Sequence, residues 1–148
     1  MKQFILPSIL LFTLLLISCK EDEIHPESAI WGQWELIKSV NSWTGEVMEG
    51  EDIEWSEIYT FNSNNTFLKT RNSTDGEFEA SGTFTWTESD PLDSSMARGF
   101  LTLTFQAGME SSSTCYSDGS EVLVITQQQV LMNTWDYCDG PRLQYQKK

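Results

Sequence analysis

The stretch EFEASGTFTWT, residues 77–87, alternates between two kinds of side chain. Every second position is apolar or small: Phe78, Ala80, Gly82, Phe84 and Trp86. The positions between them are Glu, Ser and Thr. Because successive side chains of a β-strand point to opposite faces, this pattern predicts a strand with one face on a core and the other in water.

The same two-residue period continues on both sides of this stretch. One apolar face lies upstream, interrupted by Glu57, and another downstream: Ile53, Trp55, Tyr59 and Phe61, then Leu101, Leu103 and Phe105. Asn-rich and Asp-Gly turns separate the runs and are strong hairpin signals. We predict strands over residues 31–40, 53–62, 65–72, 77–88, 99–107, 112–117, 121–126, 129–136 and 142–147, and a short helical turn within 44–52.

The short connections between these strands predict that neighbours in sequence are neighbours in the sheet. A meander of eight or nine strands with one apolar face loses its open edges when it closes. The expected fold class is therefore all-β: an antiparallel up-and-down meander that closes into a small eight- to nine-stranded barrel. An open sandwich is the alternative. The sequence contains no internal repeat and predicts no second domain.

The N-terminus has the pattern of a secretory signal. Lys2 precedes an apolar run over residues 4–17, which is shorter than the ~20 residues of a membrane-spanning helix. The run ends in Leu16-Ile17-Ser18-Cys19, which resembles the lipobox of bacterial lipoproteins. The resemblance implies a signal peptide over 1–18, an acylated cysteine with a flexible tether over 19–29, and a barrel domain over 30–148. An ordinary signal peptide or an uncleaved anchor is the alternative.

The residues after Cys19 bear on the location of the protein. Lys20 is followed by three acidic residues, a pattern that resembles the signal sending some lipoproteins to the exterior of the outer membrane. It implies a cell-surface protein, anchored in the outer membrane by acyl chains on Cys19 and facing the cell exterior. A solvated spacer is the alternative.

The remaining cysteines fit an oxidising compartment. Acylation of Cys19 leaves Cys115 and Cys138, which are 23 residues apart. We predict a disulfide between them, which would contribute roughly 3 kcal/mol in the chain-entropy view. Two free, buried thiols are the alternative.

Composition argues against several classes of function. The chain has 9 basic and 22 acidic residues, a formal charge of −13, so nucleic-acid binding is not expected. Its one histidine, His25, lies in the tether, and no nucleotide-binding or calcium-loop motif is present. With so many acids, a pair close enough for glycosidase chemistry carries no information. The sequence predicts no enzyme, no catalytic residue, no metal site and no cofactor.

A short motif opens the first predicted strand. Gly32-Gln33-Trp34 resembles the Gly-x-Trp motif of lipocalins and related calycin barrels, and the order of the later aromatic strands is similar to that of small lipocalin-like domains in secreted bacterial lipoproteins. The resemblance covers about residues 30–148. It implies that Trp34 closes one end of the barrel beneath a basic side chain of the last strand, either Arg142 or Lys147.

The function expected from these features is binding. A monomeric barrel would hold a small apolar or amphipathic ligand inside, or have an interior filled by its own side chains. Trp43 is expected in a loop at the rim. The alternatives are a protein-interaction module, such as an enzyme inhibitor, or a surface carbohydrate binder with two or more exposed tryptophans. The predicted interior residues are Trp34, Leu36, Tyr59, Phe61, Phe67, Phe84, Trp86, Leu103 and Phe105.

Overall fold

The computed structural model describes residues 26–90 and 96–148, and within them the chain forms an antiparallel sheet. Successive strands pair in order, and β1 also pairs with β9, so the sheet closes on itself. The all-β barrel prediction is confirmed: β1 and β3–β9 form a closed eight-stranded barrel, with β2 as an additional strand. The strands are β1 (Gly32–Val40), β2 (Val47–Glu49), β3 (Ser56–Phe61), β4 (Thr66–Ser73), β5 (Gly76–Glu88), β6 (Ala97–Ala107), β7 (Ser120–Thr126), β8 (Leu131–Asn133) and β9 (Arg142–Lys147).

Four elements differ from the sequence prediction. The strand predicted over 112–117 is wrong: the chain forms a 3₁₀ turn, Met109–Ser111, followed by irregular backbone. That segment is rich in Ser and Thr and has no apolar face to place on the core. The last strand before β9 is shorter than predicted, because Trp135–Cys138 form another 3₁₀ turn. Strand β2 was not predicted, and the helical turn expected within 44–52 occupies only Gly50–Asp52.

The first strand is shared by three partners. Strand β9 pairs along most of one edge of β1. On the other edge, β3 pairs with the first half of β1 and β2 with the second half. Because a strand has only two edges, β2 and β3 pair one after the other with the same edge of β1. The six residues 50–55 between them are not part of the sheet.

The two ends of the barrel differ in chemistry. At one end, here called the apolar end, the inward positions carry aromatic and aliphatic side chains such as Trp34, Phe61 and Phe84. At the other end, here called the charged end, inward positions of β3 and β7 carry Glu57 and Glu121. The loops 41–46, 50–55, 74–75, 108–119 and 134–141 all surround the charged end.

The described chain begins at the apolar end. Residues Pro26–Ala29, the last part of the predicted tether, form a 3₁₀ turn. Beside this turn, Lys147 Nζ donates to the Ala29 carbonyl oxygen at 2.9 Å, and Trp34 Nε1 donates to the Ile30 carbonyl oxygen at 2.7 Å. Lys147, and not Arg142, lies over the Trp34 ring, with Nζ 6.0 Å from the ring centroid. The predicted signal peptide and Cys19 lie outside the described residues.

Candidate functional site

The nine residues predicted to line the interior belong to one core or pack against it. Trp86 and Phe105 are partly buried against the core. The other seven are buried: Trp34, Leu36, Tyr59, Phe61, Phe67, Phe84 and Leu103. The structure shows where these side chains lie. Their role in holding a ligand stays a prediction.

These interior rings pack on one another. The Phe61 ring contacts the Phe84 ring edge-on, with centroids 5.1 Å apart, and stacks on Tyr59 at 5.8 Å. Phe67 contacts Phe105 edge-on at 5.1 Å. The cavity beside Trp34 at the apolar end measures only about 10 Å³, which is no more than one water molecule needs. The apolar half of the interior is therefore filled by its own side chains.

The charged half of the interior contains a network that we call the buried charge cluster: Glu57, Lys69, Arg71, Ser113 and Glu121, with the hydroxyls of Tyr59 and Tyr145. Glu57 is at its centre. Its Oε1 accepts from Tyr145 at 2.6 Å and lies 3.1 Å from Lys69 Nζ. Its Oε2 accepts from Arg71 through Nε at 2.6 Å and Nη2 at 2.5 Å.

The second carboxylate of the cluster, Glu121, is bound in a similar way. Its Oε1 accepts from the Tyr59 hydroxyl at 2.7 Å. Its Oε2 accepts from the Ser113 backbone N–H at 3.1 Å and lies 3.7 Å from Lys69 Nζ. The ammonium of Lys69 also lies 4.8 Å from the centroid of the Tyr59 ring. Lys69 therefore joins the two carboxylates.

The cluster is electrically balanced. Two carboxylates face one ammonium and one guanidinium. Burial by itself raises the pKa of the Glu57 carboxyl, but Lys69, Arg71 and the hydrogen bond from Tyr145 together lower that pKa below its ordinary value. Burial and the neighbouring carboxylates raise the pKa of Tyr59 and of Tyr145 well above the ordinary value. Glu57 is thus held ionised, and both tyrosines stay neutral donors.

The alternation of side chains in β3 and β4 contains a signal for this cluster. Glu57 has the same two-residue phase as Tyr59 and Phe61, and Lys69 and Arg71 have the phase of Phe67. These positions face inward, so their charges needed partners. In the sequence analysis Glu57 is described only as an interruption of an apolar face, and the buried partners of this carboxylate are therefore not predicted.

The segment 108–119 covers the charged end. Ser113 is fully buried there, and its Oγ lies 3.3 Å both from Lys69 Nζ and from Arg71 Nη2. Two residues later, Cys115 forms a disulfide with Cys138, and the two Cα atoms are 5.7 Å apart. The predicted disulfide is confirmed. It links the covering segment to the 3₁₀ turn Trp135–Cys138.

Concave surfaces at the charged end meet at one residue, Trp55. A cleft of about 470 Å³ lies between Trp55 and Trp135, with Arg71 among its lining residues. A second cleft of about 220 Å³ lies between Trp55 and Trp43. A third, of about 850 Å³, extends from Trp55 along β1. We call these three the rim clefts.

The loop that carries Trp43 is fixed in place although its indole is exposed. Asn41 Oδ1 accepts from the backbone N–H groups of Trp43 at 2.9 Å and Thr44 at 3.1 Å. The Ser42 hydroxyl donates to the Gly140 carbonyl oxygen, which joins this loop to the end of segment 134–141. The Trp43 side chain is 76% exposed. A large apolar ring is thus presented to solvent by an ordered turn.

Comparison of the chain with protein-family models, curated proteins and solved structures found no match. Residues 26–90 and 96–148 include no helix of the length and apolarity that a bilayer crossing needs. In the same part of the chain, no three His, Cys, Asp or Glu side chains are grouped to hold a metal ion. The rim clefts and the buried charge cluster are the features from which a function is inferred.

Proposed function

We propose that the protein is a non-catalytic binding protein, anchored in the outer membrane through acyl chains on Cys19, which binds its ligand in the rim clefts. The proposal rests on one observation: aromatic side chains fill the apolar half of the interior, whereas three clefts at the charged end share Trp55 as a lining residue. The cleft between Trp55 and Trp135, about 470 Å³, lies within the ~300–1,000 Å³ of small-molecule sites.

Packing of the interior argues for the rim over the barrel centre. A ligand between Phe61 and Phe84 would have to displace rings that already contact each other. Exposing one such buried side chain costs about 1.5–3 kcal/mol before any ligand contact is made. Binding at the rim requires no such displacement.

The position of the tether supports the same site. Ala29 and Ile30 accept hydrogen bonds from Lys147 and Trp34 at the apolar end. The rim clefts lie at the opposite end of the barrel. A protein anchored through residues before Pro26 therefore presents its clefts away from the membrane and towards a ligand outside the cell.

The burial of Glu57 and Glu121 supports a structural role for these two carboxylates. Glu57 and Glu121 are fully buried, and each is bound by cations and hydrogen-bond donors. A general acid or base must come within hydrogen-bond reach of its substrate. Both carboxylates are occupied by structural partners beneath Ser113.

The exposure of Trp43 favours a second candidate, a protein-interaction module such as an enzyme inhibitor. Tryptophan is enriched among the residues that dominate binding energy at protein interfaces. The indole of Trp43 is held outward by an ordered turn. A partner with a pocket for one aromatic ring would fit this surface.

Photolabelling distinguishes the rim from the interior. The mature lipidated protein in phospholipid nanodiscs is irradiated with a short alkyl diazirine bearing an alcohol group, and the adducts are mapped by mass spectrometry. We expect saturable labelling of the peptides that contain Trp43, Trp55 and Trp135. Saturable labelling confined to the inward residues of β3, β6 and β7, or labelling that never saturates, would overturn the proposal.

A further inference from the structure

We infer that the rim clefts bind a neutral oligosaccharide; this inference rests on the proposed function and names the ligand of the same site. Three observations carry it: the arrangement of the tryptophans, the uncommitted carboxylates beside them, and the balance of charge around the clefts.

Three tryptophans line the rim clefts: Trp43 is exposed, and Trp55 and Trp135 are partly buried with part of each ring at the surface. Trp55 borders all three rim clefts, Trp135 shares one of them and Trp43 shares another. A sugar ring has a face of C–H groups that packs on an aromatic face, where it makes apolar and weak C–H contacts. Three clefts that share Trp55 as a lining residue suit a ligand with several rings.

Carboxylates line the same clefts as these rings. Glu54 and Asp75 line the cleft between Trp55 and Trp135, and Asp139 lines the cleft beside Trp43. Among the described residues, none of these three carboxylates makes a hydrogen bond or ion pair. An ionised carboxylate only accepts hydrogen bonds, and bonds to it are about twice as strong as neutral ones. The hydroxyl groups of a sugar are matching donors.

The charge of the clefts argues against an anionic ligand. Among the described residues lining them, Arg71 is the one cation, and its Nε and Nη2 are bound by the Glu57 carboxylate. The other charged lining residues are all acidic, namely Glu35, Glu54, Asp75 and Asp139. The whole chain has a formal charge of −13. Uronic acids and phosphorylated sugars are repelled by such a surface.

A cationic ligand is the main competitor, because indoles and carboxylates also attract cations. Strong cation binding by aromatic rings requires that water be excluded. Trp43 is 76% exposed, and its cleft shares Trp55 with the other two. Such open, neighbouring clefts match an extended neutral chain better than a compact cation.

Fluorescence titration of the mature lipidated protein in nanodiscs tests the inference. The probes are neutral hexose oligomers, uronic acid oligomers of the same length, and choline. Trp43→Ala is the main variant, because its exposed side chain supports no core packing. Trp31→Ala is the matched control, since Trp31 packs against the core beside the start of β1, away from the rim.

We expect the neutral oligomers to bind the wild type, and Trp43→Ala to weaken that binding by about tenfold while Trp31→Ala leaves it unchanged. Tighter binding of uronic acid oligomers, binding of choline alone, or equal losses in the two variants would overturn the inference. If no sugar binds but the diazirine probe labels the rim, the oligosaccharide is rejected and the proposed site stands. If both experiments fail, both proposals are rejected.

Discussion

The ammonium of Lys69 lies 3.1 Å from Glu57 Oε1, and neither side chain is exposed to solvent. The two residues are on adjacent strands, where Lys69 is directly opposite Tyr59. A shift of one residue in the pairing of β3 with β4 would turn one member of this pair towards solvent and deprive the other of an opposite charge in the interior. The ion pair therefore helps to define the register of the barrel.

Removing the cation of this pair should destabilise the fold strongly. Lys69→Met leaves two buried carboxylates with Arg71 as the remaining cation. We expect the free energy of unfolding to fall by about 3–5 kcal/mol, measured by urea denaturation. Lys38→Met is the matched control, since Lys38 pairs with Glu49 at the surface, and should cost about 1 kcal/mol or less. Equal losses in the two variants would contradict a structural role for the buried cluster.

The same cluster predicts a loss of stability in acid. Because the pKa of Glu57 is lowered in the folded protein, its contribution is present above the ordinary carboxyl pKa of 4.5 and is lost as the pH falls through the lower folded value. Urea midpoints measured at decreasing pH should therefore fall below about pH 4.5. The Glu57→Gln variant should be less stable at neutral pH, and its urea midpoint should fall less steeply as the pH is lowered. If the urea midpoint of Glu57→Gln falls with pH as steeply as that of the wild type, the acid sensitivity comes from other groups.

The disulfide is expected to hold the segment that covers the charged end. Reduction, or the double substitution Cys115→Ser and Cys138→Ser, should lower stability by about 3 kcal/mol. Hydrogen exchange should increase first in residues 108–119, because Ser113 is fixed only two residues from the bond. Peptide mapping without reductant checks the bond itself. Two free thiols in the exported protein, or unchanged exchange in this segment, would contradict this prediction.

Two tryptophans should differ sharply when each is replaced by alanine. Trp34 is 1% exposed and its indole N–H is bonded to Ile30, so Trp34→Ala leaves a cavity in a hydrogen-bonded barrel. We expect a loss of about 3–5 kcal/mol. Trp43→Ala removes the same side chain from an exposed loop and should cost within about 1 kcal/mol. Urea midpoints at unchanged slope provide the comparison, and a larger loss at Trp43 would reverse the structural roles assigned to these residues.

Anchoring is tested at the cysteine of the lipobox-like motif. Cys19→Ala removes the thiol that acylation would use, so the protein should move out of the membrane fraction and no longer partition into detergent. Cys115→Ala, assayed in parallel, controls for the loss of a cysteine as such. Unchanged detergent partition of Cys19→Ala would end the lipoprotein proposal.

The barrel could be predicted from sequence because its information is local. The alternation in residues 77–87 and the turns between strands specify which faces are apolar and which strands are neighbours. The buried charge cluster was not predicted because its parts are distant in sequence: Glu57 and Glu121 meet only after the barrel closes. Ser113 lies in a segment without periodicity, where a strand was predicted in error.

The rim clefts could not be predicted from sequence patterns for a different reason. Trp43 was correctly expected in a loop, but Trp55 was assigned to a strand face. Its actual position depends on residues 50–55 leaving the sheet between β2 and β3. Nothing in the two-residue period marks that departure, because apolar residues continue through it.

Closure of the barrel and the surface of the clefts depend on different edges of β1. The pairing of β1 with β9 closes the barrel along one edge, while the interruption at residues 50–55 lies on the other edge and bears Glu54 and Trp55. Exchanges at the exposed Glu54, which lines two of the clefts, change the charge of that surface without touching any strand that closes the sheet. Ile53 and Trp55 also pack against the core, so the charge of this surface can evolve independently of the barrel, whereas its aromatic part cannot.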